Sequence, residues 1–179
     1  FRGILPSVGF CAYFRQSSIA KQKCLAHLER ELESLKTSRF QANRQFAADV
    51  QQVLATARIH HRHYHAGKLT LEDLGSKRTE VENSLQNIFK ATPKKGWPYD
   101  AQRLINRLKR HWAECFPFLT HPEVKPDNNA AESALRPIVI HRKVSGGARS
   151  DWGAELVTQM FSFLETMRLQ GHHSTSHLR

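Results

Sequence analysis

Asn129, Glu132 and Arg136 stand at i, i+3 and i+7 within Lys125-Pro126-Asp127-Asn128-Asn129-Ala130-Ala131-Glu132-Ser133-Ala134-Leu135-Arg136-Pro137. On a helix these spacings fall along one face, so a carboxylate projects beside an amide and a guanidinium. Pro126 ends the preceding element, and Asp127, Asn128 or Asn129 can cap a short helix running from Ala130 to about Arg136. Pro137 then predicts a kink or an end, with Ile138, Val139 and Ile140 buried beyond it. Two readings of Glu132 are open. The helix dipole favours its ionised form in the first turn, where it could bind a hard divalent cation through oxygen; equally, it is a helix-start carboxylate paired with Arg136.

Two further sets carry metal-ligand side chains. Cys24 and His27, at i and i+3, could complete a four-ligand zinc site with His111 and Cys115, at i and i+4. Against this, cysteine is commonly a small core residue and a lone histidine is usually hydrogen-bonded. His60, His61, His63 and His65 have no accompanying carboxylate or cysteine, and read as a solvated, weakly basic helix end rather than a metal site. The three cysteines, Cys11, Cys24 and Cys115, are odd in number and scattered, which predicts reduced thiols.

Charge points to a partner. Lysine and arginine number 27 against 16 acidic residues, a formal charge of +11 in 179 residues. Such an excess suits a polyanion, because basic side chains gain from releasing condensed counterions. Charge alone fits a ribosome-associated protein or a membrane-surface binder equally well. The helix expected over roughly Asp100 to Phe116 sharpens the choice. Ala101, Leu104, Leu108 and Trp112 cluster on one side, and Arg103, Arg107 and Arg110 fall on nearly the opposite side, with Lys94, Lys95 and Lys109 near them. No acidic stripe is visible beside it in the sequence. A second basic group, Arg142, Lys143 and Arg149, flanks Gly146-Gly147, a turn whose amides could approach a phosphate but which lacks the spacing of a Walker loop. There is no bilayer-length apolar run and no signal-peptide pattern, so a cytoplasmic location without membrane insertion is expected.

The elements that must position these residues follow from periodicity. A short strand passes through Ile4 and Leu5, and a first helix covers 18–36 with Cys24, Leu25, Leu28, Leu32 and Leu35 on its apolar side. Residues 39–91 read as a helical hairpin, with Phe46, Val50, Val53, Leu54, Ala57 and Tyr64 on one arm and Leu74, Val81, Leu85 and Ile88 on the other. Gly67 breaks it, and Thr70 with Asp73 starts the second arm. A last helix runs from a Ser150 or Asp151 cap to about Gln170, facing Val157, Met160, Phe161, Leu164 and Met167 inward, with Gly171 as its stop. The organisation expected is therefore 1–38, strand and first helix; 39–91, hairpin; 92–124, linker and basic helix; 125–171, the Glu132 segment; and 172–179, a disordered tail.

The run PDNNAAESALRPIVIHRKVSGGARSDWGAELVTQMFSFLETMRLQG resembles the C-terminal end of transposases of the insertion sequence 66 (IS 66) family. That family reads P-x-N-N-x-x-E-R-A-L-R-P, then R-K, then S-G-G or a similar turn, then a serine and a G-A helix. The close match covers about residues 120 to 171, and Cys24-Leu25-Ala26-His27-Leu28-Glu29-Arg30 is similar to the family's C-x-A-H-L-x-R. The resemblance implies an Asp-Asp-Glu site on a ribonuclease H-like fold, Mg2+ or Mn2+ as cofactor and DNA ends and target as partners. It makes Glu132 the catalytic, metal-binding glutamate, supported by Asn129 and Arg136.

One departure matters. Where the family has S-D-x-x-x-x-Y with its second aspartate, this chain reads Ser7-Val8-Gly9-Phe10-Cys11-Ala12-Tyr13, and its first acidic residue is Glu29. The family's first aspartate lies upstream of Phe1. A two-cation site needs several carboxylates to hold its ions about 4 Å apart, and valine supplies no ligand. The expectation is thus a mostly α chain, a partial ribonuclease H-like α/β core with a short N-terminal strand and a large helical insertion. It reads as part of a transposase, opening on Phe1 rather than Met and inactive by itself. The competing reading is a non-enzymatic nucleic-acid-binding helical protein; a third is a homo-oligomeric scaffold built on the hairpin.

Overall fold

The computed structural model describes residues 4–7 and 20–171; Val8, Cys11 and the tail 172–179 lie outside the described residues. In chain order the elements are strands β1 (Ile4–Ser7) and β2 (Ala20–Lys23), then helices α1 (Leu25–Lys36), α2 (Gln41–His65), α3 (Leu71–Lys90), α4 (Tyr99–Arg110), α5 (Asn129–Val144) and α6 (Asp151–Leu169). Two short 3-10 turns, Trp112–Glu114 and Pro117–Leu119, separate α4 from α5. The chain divides into two compact units, Phe1–Asn128 and Asn129–Arg179.

In the first unit the apolar stripes pack on one another. Leu25, Leu28 and Leu32 of α1, Phe46, Val50, Leu54 and Ala57 of α2, Leu74, Val81 and Leu85 of α3, and Leu104, Ile105 and Leu108 of α4 form one buried cluster. The hairpin stands as expected. Gly67 takes φ +70°, a left-handed conformation that costs glycine little, and the chain reverses there. The Thr70 hydroxyl accepts from the Asp73 amide at 3.1 Å while the Asp73 carboxylate accepts from the Thr70 amide at 2.9 Å, a reciprocal cap.

Residues 20–23 are strand rather than the first turn of a helix. Ala-Lys-Gln-Lys has little β preference, so tertiary contacts decide. β2 pairs parallel with β1, Ile4 opposite Ala20 and Ser7 opposite Lys23. Gln22 is fully buried; its amide donates to the Cys115 carbonyl at 3.3 Å, and its side-chain oxygen accepts from the Phe118 amide at 3.2 Å. α1 starts at Leu25 because its first free amide finds a distant acceptor, the Pro126 carbonyl, at 2.9 Å.

α4 is also shorter than expected, ending at Arg110 instead of near Phe116. Cys115, Phe116, Phe118 and Leu119 are all buried, and a regular helix cannot turn four nearly consecutive side chains inward. Pro117 disfavours helix at Phe116 as well, which sits at φ −131°.

The second unit is the pair α5 and α6. α5 runs through Pro137 to Val144 instead of stopping there. Proline removes one amide donor, and the exposed Ser133 position leaves the orphaned carbonyl open to water, so the break is tolerated. Val139 and Ile140 are consequently 41% and 52% exposed, not buried, and only Ile138 of that run is half-buried. Ser150 caps α6 by accepting from the Gly153 amide at 3.1 Å. Val157, Phe161 and Leu164 are half-buried and Met167 buried, as expected; Met160 is exposed.

Candidate functional site

Helix α5 carries Asn129, Glu132 and Arg136 along one face, as the spacing demands, with Glu132 in the first turn and half-buried and the other two exposed. The loop that delivers this helix is fastened inside the first unit. Arg58 of α2 grips Glu29 of α1 with two bonds of 3.0 Å, Nε to Oε1 and Nη2 to Oε2, and its Nη1 donates to Asp127 at 3.2 Å. Together with the Pro126 carbonyl on Leu25, this fixes both the backbone and the side chain of the proline-aspartate step. Sequence reading did not single out Arg58. A signal exists: the positions three and four residues away on α2 are Leu54, Ala55, His61 and Arg62, so its charge can be matched only by another element.

The donor set around Glu132 is narrow. Among the described residues, no group of three or more histidine, cysteine or acidic side chains is placed to hold a metal ion. One carboxylate with an amide at i−3 does not meet the several-carboxylate requirement of a two-cation site, so the described residues do not by themselves fit that cofactor.

Cys24, His27, His111 and Cys115 form no such group among the described residues. Cys24 and Cys115 are buried, free thiols. The Cys115 thiol donates to the His111 carbonyl at 3.4 Å, and burial, reinforced by Glu114, pushes its pKa up to about 12, so it is neither a thiolate nor a ready ligand. His111 Nδ1 meets Glu114 at 3.1 Å instead. The histidine run at the end of α2 is not wholly solvated either. His61 is buried; its Nε2 and that of His65 both approach the Pro122 carbonyl. Burial lowers the His61 pKa, a group facing backbone carbonyls rather than water.

The basic residues form one group in each unit. On α4, Arg103, Arg107, Lys109 and Arg110 are exposed while Ala101, Leu104, Ile105 and Leu108 dock inward, the expected two-sided helix. The face is not free of acid: Arg107 pairs with Glu31 of α1, and Arg103 shares a shallow concavity with Glu31 and Asp100. In the second unit Arg142, Lys143 and Arg149 are exposed around the turn between α5 and α6. Gly146 and Gly147 take φ +72° and +86°, and these left-handed values are what reverses the chain there.

Comparison with known sequences gives the family of this helical chain. The profile described as "Transposase IS66 family" matches residues 1–156, and the chain belongs to that family. It is also similar to the uncharacterized protein y4jO of Sinorhizobium fredii, 33% identical over 72 residues. The matched stretch covers 40% of this chain and 22% of that relative. No solved structure matches the chain. Among the described residues no helix is long and apolar enough to cross a membrane.

Proposed function

We propose that this chain is the DNA-contacting, glutamate-bearing part of a transposase that cleaves and joins DNA strands during transposition, acting in the cytoplasm. The observation that carries the reading is the unbroken helix α5, which sets Asn129, Glu132 and Arg136 on one face within the stretch matched to the family. In this reading β1 and β2 belong to a ribonuclease H-like sheet, and the α2–α3 hairpin is an insertion into it. Glu132 contributes one carboxylate toward Mg2+ or Mn2+; Asn129 and Arg136 orient it or contact phosphate. Arg103, Arg107, Arg110, Arg142, Lys143 and Arg149 contact the DNA backbone, and self-association accompanies the reaction.

The chain alone binds DNA without cutting it, because no group of three or more metal-ligating side chains stands together among the described residues and valine stands at position 8. A specific observation thus favours a second reading, a basic nucleic-acid binder without catalysis. Incubation with supercoiled plasmid and Mg2+ or Mn2+ tests both. Salt-sensitive binding without nicking, unchanged or slightly tighter in Glu132→Gln, is expected. Metal-dependent nicking that disappears in Glu132→Gln would overturn the inactivity, and failure to bind DNA at low salt would overturn the DNA-contacting role.

A further inference from the structure

At the C-terminal end of α2, three lone-pair-bearing atoms from two segments of the first unit converge. His61 Nε2 and His65 Nε2 each lie 2.9 Å from the Pro122 carbonyl oxygen and 3.2 Å from each other. The i, i+4 spacing puts both rings on one side of the helix, and their centroids are 4.5 Å apart in an edge arrangement. His61 is buried and meets the Phe118 ring edge-on, with the ring centroids 5.4 Å apart. Hydrogen bonds alone serve this triangle poorly. If both Nε2 atoms carry a proton, two N–H groups crowd each other over one oxygen. If only one does, a bare nitrogen lone pair faces the carbonyl oxygen.

A cation in the middle removes the conflict. Ligands about 2.0–2.1 Å from zinc stand roughly 2.9 Å apart at right angles and roughly 3.3 Å apart in a tetrahedron. The three observed edges lie within that range, and an ion at zinc–ligand distance from all three atoms would sit about 1 Å off their plane. His65 is exposed, so the outer side is open to water ligands, while buried His61 is fixed in advance.

We infer that His61 Nε2, His65 Nε2 and the Pro122 carbonyl form a binding site for a borderline divalent transition cation, Zn2+ being the representative, with water completing the coordination. Two imidazoles and one oxygen suit such a metal; the site holds no carboxylate, so Mg2+ and Ca2+ are poor occupants. Its effect is to tie the end of α2 to the 120–124 loop, which continues into Pro126 and Asp127. The site belongs to the first unit, whereas Glu132 belongs to the second.

The test is Zn2+ titration of the full chain, without a polyhistidine tag, in competition with a chromophoric chelator. One saturable equivalent in the micromolar range is expected, with slower amide exchange over 120–124 on addition of Zn2+. His65→Ala changes an exposed side chain and should keep the fold while weakening binding by about tenfold or more, since even outer-shell changes at metal sites cost about that much. His63→Ala, an exposed neighbour, should bind as the parent does. Equal Zn2+ affinity in His65→Ala and the parent, or no saturable binding by the parent, would overturn the site.

Discussion

Among the described residues, Arg107 is the one arginine of the α4 face with an ion-pair partner on another helix, and that pairing sets what it can give to DNA. Its side chain is 49% exposed and that of Glu31 31% exposed, so the pair is solvent-screened and worth about 0.2–1 kcal/mol. A phosphate contact adds about 0.9 to the slope of log affinity against log salt, or about 3.5-fold in affinity between 50 and 200 mM salt. Leaving Glu31 to reach phosphate thus offsets much of what the contact would gain. Arg110 has no such cost among the ion pairs formed by the described residues. Fluorescence-anisotropy titrations of a labelled duplex across that salt range should therefore show Arg110→Ala lowering the slope by about 0.9, and Arg107→Ala by less than about half of that. Glu31→Gln should free Arg107, raise the slope by at least about half of 0.9 and at most about 0.9, and tighten binding up to about 3.5-fold at the lower salt. Adding Arg107→Ala to Glu31→Gln should cancel the gain. An Arg107→Ala loss equal to that of Arg110→Ala, or a Glu31→Gln gain that survives in the double variant, would refute the reasoning.

The Arg58 clasp is testable by stability. Its three charge-assisted bonds are about a quarter exposed, so Arg58→Met should cost about 2 kcal/mol, seen as a fall of about 1 M in the urea midpoint. Trp97 and Trp112 report the first unit once Trp152 is changed to phenylalanine, and a loss below about 0.5 kcal/mol would mean the clasp is energetically idle. At the hairpin, Thr70→Ala should cost about 1 kcal/mol. The Thr70 amide and hydroxyl hold the Asp73 carboxyl below its ordinary value of 3.8. The stability it contributes is therefore full above that value and lost as pH falls through the lower folded pKa. The difference between the parent and Asp73→Asn, followed by circular dichroism, should be constant from pH 7 to pH 5 and shrink below about pH 3.8. Cys115, with its pKa pushed up to about 12, should resist an alkylating reagent at pH 8 in the native chain and react after denaturation. Peptide mass spectrometry reads this site by site, and native labelling at Cys115 would contradict its burial.

Much of this protein is legible in its sequence, because the features concerned are periodic or local. The helical hairpin, its Gly67 reversal and its Thr70–Asp73 cap depend on residues within a turn of one another. The two-sided character of α4 and the shared face of Asn129, Glu132 and Arg136 follow from 3.6-residue spacing alone. The family, too, could be recognised from the motif around Glu132. Tertiary structure decided what distant segments do to each other. β2 is a strand because Gln22 is buried against Cys115 and Phe118, more than ninety positions along the chain, and no propensity of Ala-Lys-Gln-Lys foretells it. α4 stops early because four close-spaced side chains must all turn inward. Arg58 reaches Glu29 and Asp127, Arg107 reaches Glu31, and His61 and His65 reach Pro122 across separations of 29, 69, 76, 61 and 57 residues. Those meetings arise when apolar stripes close one core, and their polar neighbours are then brought together by packing rather than by sequence spacing.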